Sequence, residues 1–513
     1  MLEKSMLIGI LTGFAVFLAS GCSGFDSLQA EGSAQQPNIV FILADDLDYA
    51  SAQKMPALRS LLIERGTSFD KAFVSLPQCC PSRATILTGL YAHNHKVMGN
   101  HPPDGGWGKF YSEGHEEHTI ATRLQEDGYR TALFGKYLNG YPEDGVEDPT
   151  YVPPGWDEWY GKQRGQRLYK YDINENGEVV TYGKNTEDYY TDVLSGQATD
   201  FVRRAAPEDR PFFAFVAPTA PHEPATPAKR HKGAFADEKV PRPPSFDEED
   251  VSDKPSPIKK AERISEERAS DIDDYRRQRL ESMLSVDEMV GSLIGELEDA
   301  GELDNTFILF TSDNGYELGE HRIRFKKGYP YEESTRMPMF VRGPGVPAGS
   351  KVENLTLNTD FAPTFADLAG VSFSADGRSL APLVRGEDPP SWRSAVLLDT
   401  LPLASKATSS EDGEVVDGGE DGGEEESERD EGLTDKQKEN CKKESSIKCR
   451  AVGTPRPVLN FKAIRTETHK YVEYETGEKE LYDLEADPYE LNSIHESADS
   501  SLLEDLKTKN LRQ

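Results

Sequence analysis

The chain has 513 residues, 36% hydrophobic and 9% aromatic, enough to bury one large core and a smaller second one. Its formal net charge of −33 argues against a nucleic-acid partner, because phosphate backbones are bound by basic patches. Part of that charge lies in one acidic segment near the C-terminus.

The first residues read as a targeting segment. Residues 7–19 form an apolar run too short for a comfortable membrane span, and it ends in Ser20-Gly21-Cys22. Small residues before a cysteine at that place resemble a bacterial lipoprotein signal, with residues 1–21 removed and Cys22 lipidated. An ordinary secretory signal is the other reading. Either predicts an extracytoplasmic protein, with residues 22–36 as a polar tether. Export leaves four cysteines to explain. Cys441 and Cys449 could close a small disulfide, while Cys79 and Cys80 are adjacent and too strained to bridge each other. A Cys-Cys pair also lacks the two-residue gap of a redox dithiol or a zinc knuckle.

Residues 37–44 are a nearly unbroken apolar run of strand length, as in a central parallel strand, and they end on Asp45-Asp46. A helix is expected over 56–63, stopped by Gly66, and a strand or extended segment over 69–74. Helical spacing follows over 118–127, closed by Gly128. A strand is expected over 129–134, ahead of Gly135-Lys136. The spacing then predicts a helix over 188–203 and a strand over 211–216 that leads to His222. A proline-rich, charged surface loop follows over 225–260. A helix over 280–300 precedes a strand over 305–311, which ends on Asp313-Asn314. A fifth strand is expected over 339–341, and a helix over 361–369 with Asp360 as its cap.

This alternation predicts an α/β sandwich with a mostly parallel sheet flanked by helices. Its strand ends would carry Asp45-Asp46, Lys136, His222 and Asp313-Asn314 to one edge, where open α/β sheets bind ligands. The catalytic domain is expected over residues 37–375 and a smaller C-terminal subdomain over 376–513. That subdomain would hold short antiparallel strands over 458–465, 470–475 and 480–484, a final helix over 499–506, and a disordered acidic insertion at about 405–443.

The carboxylates and Asn314 make an oxygen-rich set suited to a hard divalent cation. Arg83, Lys136, His222 and Lys327 could surround an anionic tetrahedral group. A metal with Lys and Arg stabilises charge at a transferring phosphoryl or sulfuryl centre. For any one of these side chains a structural role is the alternative; their joint placement makes the catalytic reading competitive.

Cys79-Cys80-Pro81-Ser82-Arg83-Ala84-Thr85-Ile86-Leu87-Thr88-Gly89 resembles the signature of type I sulfatases, C-x-P-S-R followed by x-x-x-L-T-G. The resemblance spans about 37–370 and resumes near 480–488. It implies an alkaline-phosphatase-like fold and oxidation of Cys79 to Cα-formylglycine by a formylglycine-generating enzyme. It also implies a calcium site (magnesium possible) at Asp45, Asp46, Cys79, Asp313 and Asn314, with Arg83, Lys136, His222 and Lys327 holding sulfate and the leaving group. The implied mechanism is attack on sulfur by the hydrated aldehyde, with His222 or Lys327 protonating the departing alcohol. Many arylsulfatases read Gly-Lys-Trp-His where this chain reads Gly135-Lys136-Tyr137-Leu138-Asn139, so Leu138 stands where their histidine does. That stretch, Cys-Cys-Pro-Ser-Arg and His93-Asn94-His95 are closer to N-acetylglucosamine-6-sulfatases, which suggests a sulfated sugar as substrate, with an aryl sulfate as the other candidate. His93, His95 and His321 could line the pocket or be structural. A phosphonate or phosphate ester hydrolase of the same superfamily, and a non-catalytic cation-binding surface lipoprotein, are the competing readings.

Overall fold

In the computed structural model, residues 36–142, 148–163, 167–400 and 458–511 are described. The apolar run after Pro37 forms β1 (Asn38–Ala44), and every one of its residues is buried. Its odd positions Ile39, Phe41 and Leu43 join one core, and its even positions Val40, Ile42 and Ala44 join another. A strand buried on both faces needs no polar alternation, which is why the run is continuous.

The remaining strands are β2 (Thr67–Phe69), β3 (Ala72–Phe73), β4 (Arg130–Gly135), β5 (Glu158–Gln163), β6 (Tyr171–Glu175), β7 (Glu178–Tyr182), β8 (Phe212–Ala217), β9 (Thr306–Ser312), β10 (Glu317–Leu318), β11 (Arg324–Lys326), β12 (Met339–Arg342), β13 (Ser350–Val352), β14 (Thr356–Leu357), β15 (Ala395–Asp399), β16 (Phe461–Thr466), β17 (His469–Tyr474) and β18 (Lys479–Asp483). Ten of them form one sheet in the order β13-β2-β12-β9-β1-β8-β4-β5-β6-β7. The centre, β9-β1-β8-β4-β5, is parallel; β12 pairs antiparallel with β9 on one side, and on the other β6 pairs antiparallel with β5 and with β7. The helices Cys79–Thr88, Ile120–Glu126 and Phe361–Ala369 contribute to the core on one face, and Tyr190–Ala205 and Glu266–Asp299 to the core on the other. This is the expected sandwich.

Several elements differ from the pattern in the sequence. The helix expected over 280–300 starts about four turns earlier, at Glu266, in a charged stretch where Asp273, Arg276 and Arg279 are buried against partners rather than solvated. The 56–63 segment begins as a helical turn at Pro56–Leu58 and continues as a π-turn at Arg59–Ile63. Asp360 occupies the cap position of Phe361–Ala369, yet its side chain does not cap that helix. It accepts instead from the Leu357 and Arg378 amides at 2.9 Å each and from Arg393 at 2.6 Å.

β15 to β18 form a four-stranded antiparallel sheet near the C-terminus. Its first strand lies before the acidic stretch and its second after it. Val396, Leu398, Phe461 and Ala463 fill one cluster, and Ile464, Tyr471, Leu481 and Leu506 of the final helix (Ser500–Leu511) fill another. The acidic insertion, Cys22, Cys441, Cys449 and the apolar N-terminal run lie outside the described residues. Among the described residues no helix is long and apolar enough to cross a membrane.

Candidate active site at the sheet edge

Four adjacent strands of the sheet, β9, β1, β8 and β4, end side by side. The residues just beyond them are Asp313-Asn314, Asp45-Asp46, His222 (past a short turn) and Lys136. Hydrogen-bonded register between parallel neighbours brings these ends together, since each crossover returns the chain in the same direction.

The cysteine signature forms the helix Cys79–Thr88, with Cys79 at its first turn and Gly89 closing it at φ 69°. A Cβ at position 89 would lie 2.6 Å from that of Ala375, so both conformation and space select glycine. All ten helical residues are buried. Cross-links fix the entry to the helix: Asn100 Oδ1 accepts from the Cys80 amide at 2.9 Å, and Asn358 donates to Ser82 Oγ at 3.0 Å. The N-terminal end of a helix favours negative charge, and Cys79 sits in that field.

Cys79 Sγ lies 3.5 Å from Asp45 Oδ1 and 3.9 Å from Asp46 Oδ1, and Lys327 Nζ donates to it at 2.7 Å. Lys327 also pairs with Asp46. Lys136 Nζ donates to Asp45 Oδ2 at 2.8 Å. Arg83 Nε donates to Asp313 Oδ2 at 2.8 Å and its Nη1 to the Lys136 carbonyl at 2.8 Å. Its Nη2, 3.8 Å from Asp45, is buried and has no hydrogen-bond partner among the described residues. His222 Nε2 stands 3.7 Å from Asp46 Oδ2, and its Nδ1 is 2.8 Å from the Glu223 carbonyl, which makes Nδ1 a donor to that oxygen and turns Nε2 to the site. Asp45, Asp46, Cys79, Arg83, Lys136, His222, Asp313 and Lys327 therefore lie in one cluster.

Asp46 adopts φ 64°, a left-handed conformation that Asp tolerates better than most residues. Its amide donates to Asp313 Oδ1 at 3.1 Å, and Asn314 Nδ2 donates to Asp46 Oδ1 at 2.7 Å. Arg279, fully buried in the long helix, donates to the Asp46 carbonyl and to that of Pro221 at 3.4 Å, and pairs with Asp48 at 3.4 Å. Arg279 is a positioning residue that the sequence reading missed. It lies one residue before the apolar periodicity by which that helix was recognised, and nothing in its spacing marks it.

Electrostatically the site is a mesh of three carboxylates against Arg83, Lys136 and Lys327. Burial raises the carboxyls, but Lys136 beside Asp45 and Lys327 beside Asp46 override it and hold both below the usual carboxylate range. Asp313 moves the other way, raised by burial and by Asp45. Burial pushes the Cys79 thiol well above its ordinary value, so an unmodified thiol here is a poor nucleophile.

A divalent cation fits this donor set. Asp45, Asp46 and Asp313 supply carboxylate oxygens, and Asn314 Oδ1 is buried with no donor among the described residues, an acceptor aligned for an ion. Asp45, Asp46, Cys79 and His222 offer ligand atoms within 4.8 Å of one another.

The model of the family described as Sulfatase matches residues 37–371. The chain belongs to the sulfatase family. It is 32% identical over 504 residues to the N-acetylglucosamine-6-sulfatase of Capra hircus, covering 94% of this chain and 84% of that one. It is 30% identical over 437 residues to the N-acetylglucosamine-6-O-sulfatase of Bacteroides thetaiotaomicron, covering 70% and 73%. The chain spans 49% of an extracellular sulfatase relative from Caenorhabditis elegans and 31% of one from Drosophila melanogaster. Among solved structures it resembles a protein in complex with its substrate D-glucosamine-2-N,6-O-disulfate, with TM-score 0.71, 24% identity, and coverage of 93% of this chain and 97% of that one. The phosphonate monoester hydrolase of Agrobacterium radiobacter shares the fold too, at TM-score 0.63 and 22% identity over 92% and 96%.

Where many arylsulfatases carry a histidine after Lys-Trp, this family member places Leu138 in the hydrophobic core. Of the other histidines, His95 is buried, with its Nε2 2.9 Å from Thr85 Oγ1 and its Nδ1 accepting from the Val97 amide at 3.1 Å. His93 stacks on Tyr91 and faces Asp399 at 3.6 Å. His321 is held by Glu248.

Proposed function

We propose that the chain is a sulfuric ester hydrolase that releases inorganic sulfate from a sulfated sugar, with Cys79 converted to Cα-formylglycine. The observation that carries this reading is the convergence on Cys79 Sγ of Lys327 at 2.7 Å and Asp45 at 3.5 Å, at the first turn of a buried helix. Formylglycine supplies a hydrated aldehyde, an oxygen nucleophile with a second hydroxyl for its own release. Calcium would be held by Asp45, Asp46, Asp313, Asn314 and the modified residue 79. It supplies Lewis-acid stabilisation of charge on the sulfuryl oxygens.

The protein's own groups do the rest. Arg83 Nη2 is a buried donor with no hydrogen-bond partner among the described residues, available to a sulfate oxygen without reorganisation. Lys136 adds positive charge on the same side. His222 Nε2 and Lys327 Nζ face residue 79 from the other strand end, where either can pass a proton to the leaving alcohol oxygen. With Leu138 apolar, these two are the site's proton carriers.

The likeness to N-acetylglucosamine-6-sulfatases favours a sulfated amino sugar over a simple aryl sulfate. We further infer maturation by a formylglycine-generating enzyme, lipid anchoring at Cys22 outside the cytoplasm, and a division between a catalytic part over 37–375 and a C-terminal part over 376–513. Co-expression with a formylglycine-generating enzyme, followed by mass spectrometry of the peptide containing residue 79, tests the centre of this reading. An aldehyde at residue 79 and turnover of a 6-O-sulfated glucosamine above that of an aryl phosphonate are expected. An intact thiol in a fully active enzyme, or preference for the phosphonate, overturns it.

A further inference from the structure

We propose that His321, Glu333 and Glu490 form a second cation site, separate from the strand-end carboxylates, that takes a divalent transition ion of the zinc or manganese kind. His321 lies between β10 and β11 and is fully buried. Its Nδ1 is 2.7 Å from Glu248 Oε2, and its ring stacks on Tyr331 with centroids 4.0 Å apart. With Nδ1 donating to that carboxylate, Nε2 is a bare lone pair. It has no hydrogen-bond partner among the described residues. One ring nitrogen of His321 lies within 4.8 Å of a carboxylate oxygen of Glu333 and one of Glu490, and Nε2 is the nitrogen that Glu248 does not engage. A carboxylate that orients an imidazole through one nitrogen while the other points into an acidic cluster is the arrangement by which metal-binding histidines are held.

The charge balance points the same way. Lys254 pairs with Glu248 at 3.0 Å, and Lys470 lies between Glu332 at 2.9 Å and Glu490 at 2.8 Å. Among the described residues no ion pair reaches Glu333 or the neighbouring Glu317. One oxygen of each, Glu333 Oε2 and Glu317 Oε2, is sealed from solvent with no donor among the described residues. Uncompensated buried carboxylates are costly and take up a cation or a proton. Imidazole nitrogen beside carboxylate oxygen selects a transition ion over calcium or magnesium. Burial also lowers the His321 pKa to about 3, so the ring stays neutral and able to ligate. Glu490 follows β18, whereas His321 and Glu333 flank the loop that carries Lys327. The ion would therefore clip the C-terminal sheet to the segment that positions a site lysine.

The test is to crystallise the full chain with manganese chloride, or with zinc chloride, and to compute anomalous difference maps at the corresponding edge. A peak at ligand distance from His321 Nε2 is expected, whatever occupies Asp45 and Asp46. In equilibrium dialysis with Mn2+, Glu333→Gln should lose one equivalent that Asp46→Asn retains. A map without density at His321, with stoichiometry unchanged in Glu333→Gln, overturns the proposal and leaves protons as the only counter-charge. The crystal experiment uses the unaltered chain, so it decides even if Glu333→Gln misfolds.

Discussion

Replacing Arg279 by Met removes a buried cation that ties two strand ends together. Its guanidinium bonds the Asp46 and Pro221 carbonyls, pairs with Asp48 at 3.4 Å, and lies 4.3 Å from the Tyr316 ring centroid. Met fills most of the volume, so the effect reports the lost charge and donors rather than a cavity. Removing one partner of a buried ion pair costs about 3–5 kcal/mol. Asp48 retains Arg276 at 3.8 Å, which puts the loss near the lower end, about 3 kcal/mol in the same terms. Urea unfolding followed by circular dichroism reads this directly. Coupling sharpens it: in Arg279→Met/Asp48→Asn the orphaned carboxylate is gone, so the double variant should recover roughly 1–3 kcal/mol of the summed losses. Asp46 would also lose the contact that holds its left-handed conformation, and affinity for a divalent cation should fall with stability. A loss below about 1 kcal/mol, or strict additivity of the two substitutions, would refute the assigned role.

Three other outcomes are expected. Lys136→Met leaves Asp45, among the described residues, with Arg83 at 3.8 Å as its remaining ion-pair partner and should lower kcat by about 10²–10³, the usual effect of removing one preorganised charge at a reacting centre, with KM changed less; steady-state kinetics on a sulfated sugar checks it. Cys80 is fully buried and burial pushes its thiol up to about 12, so native protein should resist iodoacetamide at that residue, and Cys80→Ala should keep its activity while losing roughly 1 kcal/mol. Glu480, 1% exposed, is raised by burial to about 7 while accepting from the Tyr331, Tyr474 and Tyr482 hydroxyls. The native state therefore keeps a proton that the unfolded chain releases above its ordinary carboxylate pKa. Stability from this group declines as pH rises from about 4.5 to about 7 and is flat above, a loss of about 3 kcal/mol. Glu480→Gln should flatten that slope and unfold at higher urea than the parent at pH 8.

The chemistry of the site was legible in the chain because its residues stand at the ends of apolar runs. Asp45-Asp46 after β1, Asp313-Asn314 after β9 and Lys136 after β4 each mark where an apolar, doubly buried strand gives way to polar residues, and the Cys79–Gly89 signature adds a local pattern specific enough to name a family. Parallel pairing then leaves few ways to arrange those ends. The helical form of the signature itself was not legible. All ten residues of Cys79–Thr88 are buried, so no polar face alternates with an apolar one, and periodicity has nothing to report. The polar edge strands β6 and β7 and the strand β15 were missed for a related reason. They are short, and their identity as strands depends on a neighbour to pair with, which the local sequence does not contain.

The amino-acid sequence by itself determined the layer architecture, the oxygen-rich residue set and the cysteine signature, because hydrophobic runs, strand-end carboxylates and a contiguous motif are local facts. Tertiary structure alone decided which cations face which carboxylates: Lys136 on Asp45, Lys327 on Asp46 and Cys79, Arg83 on Asp313, and Arg279 beneath Asp46. It also decided that His321 faces two glutamates and not residue 79. These pairings join residues tens to hundreds of positions apart, and a buried charge takes whichever partner the packing brings within a few ångströms.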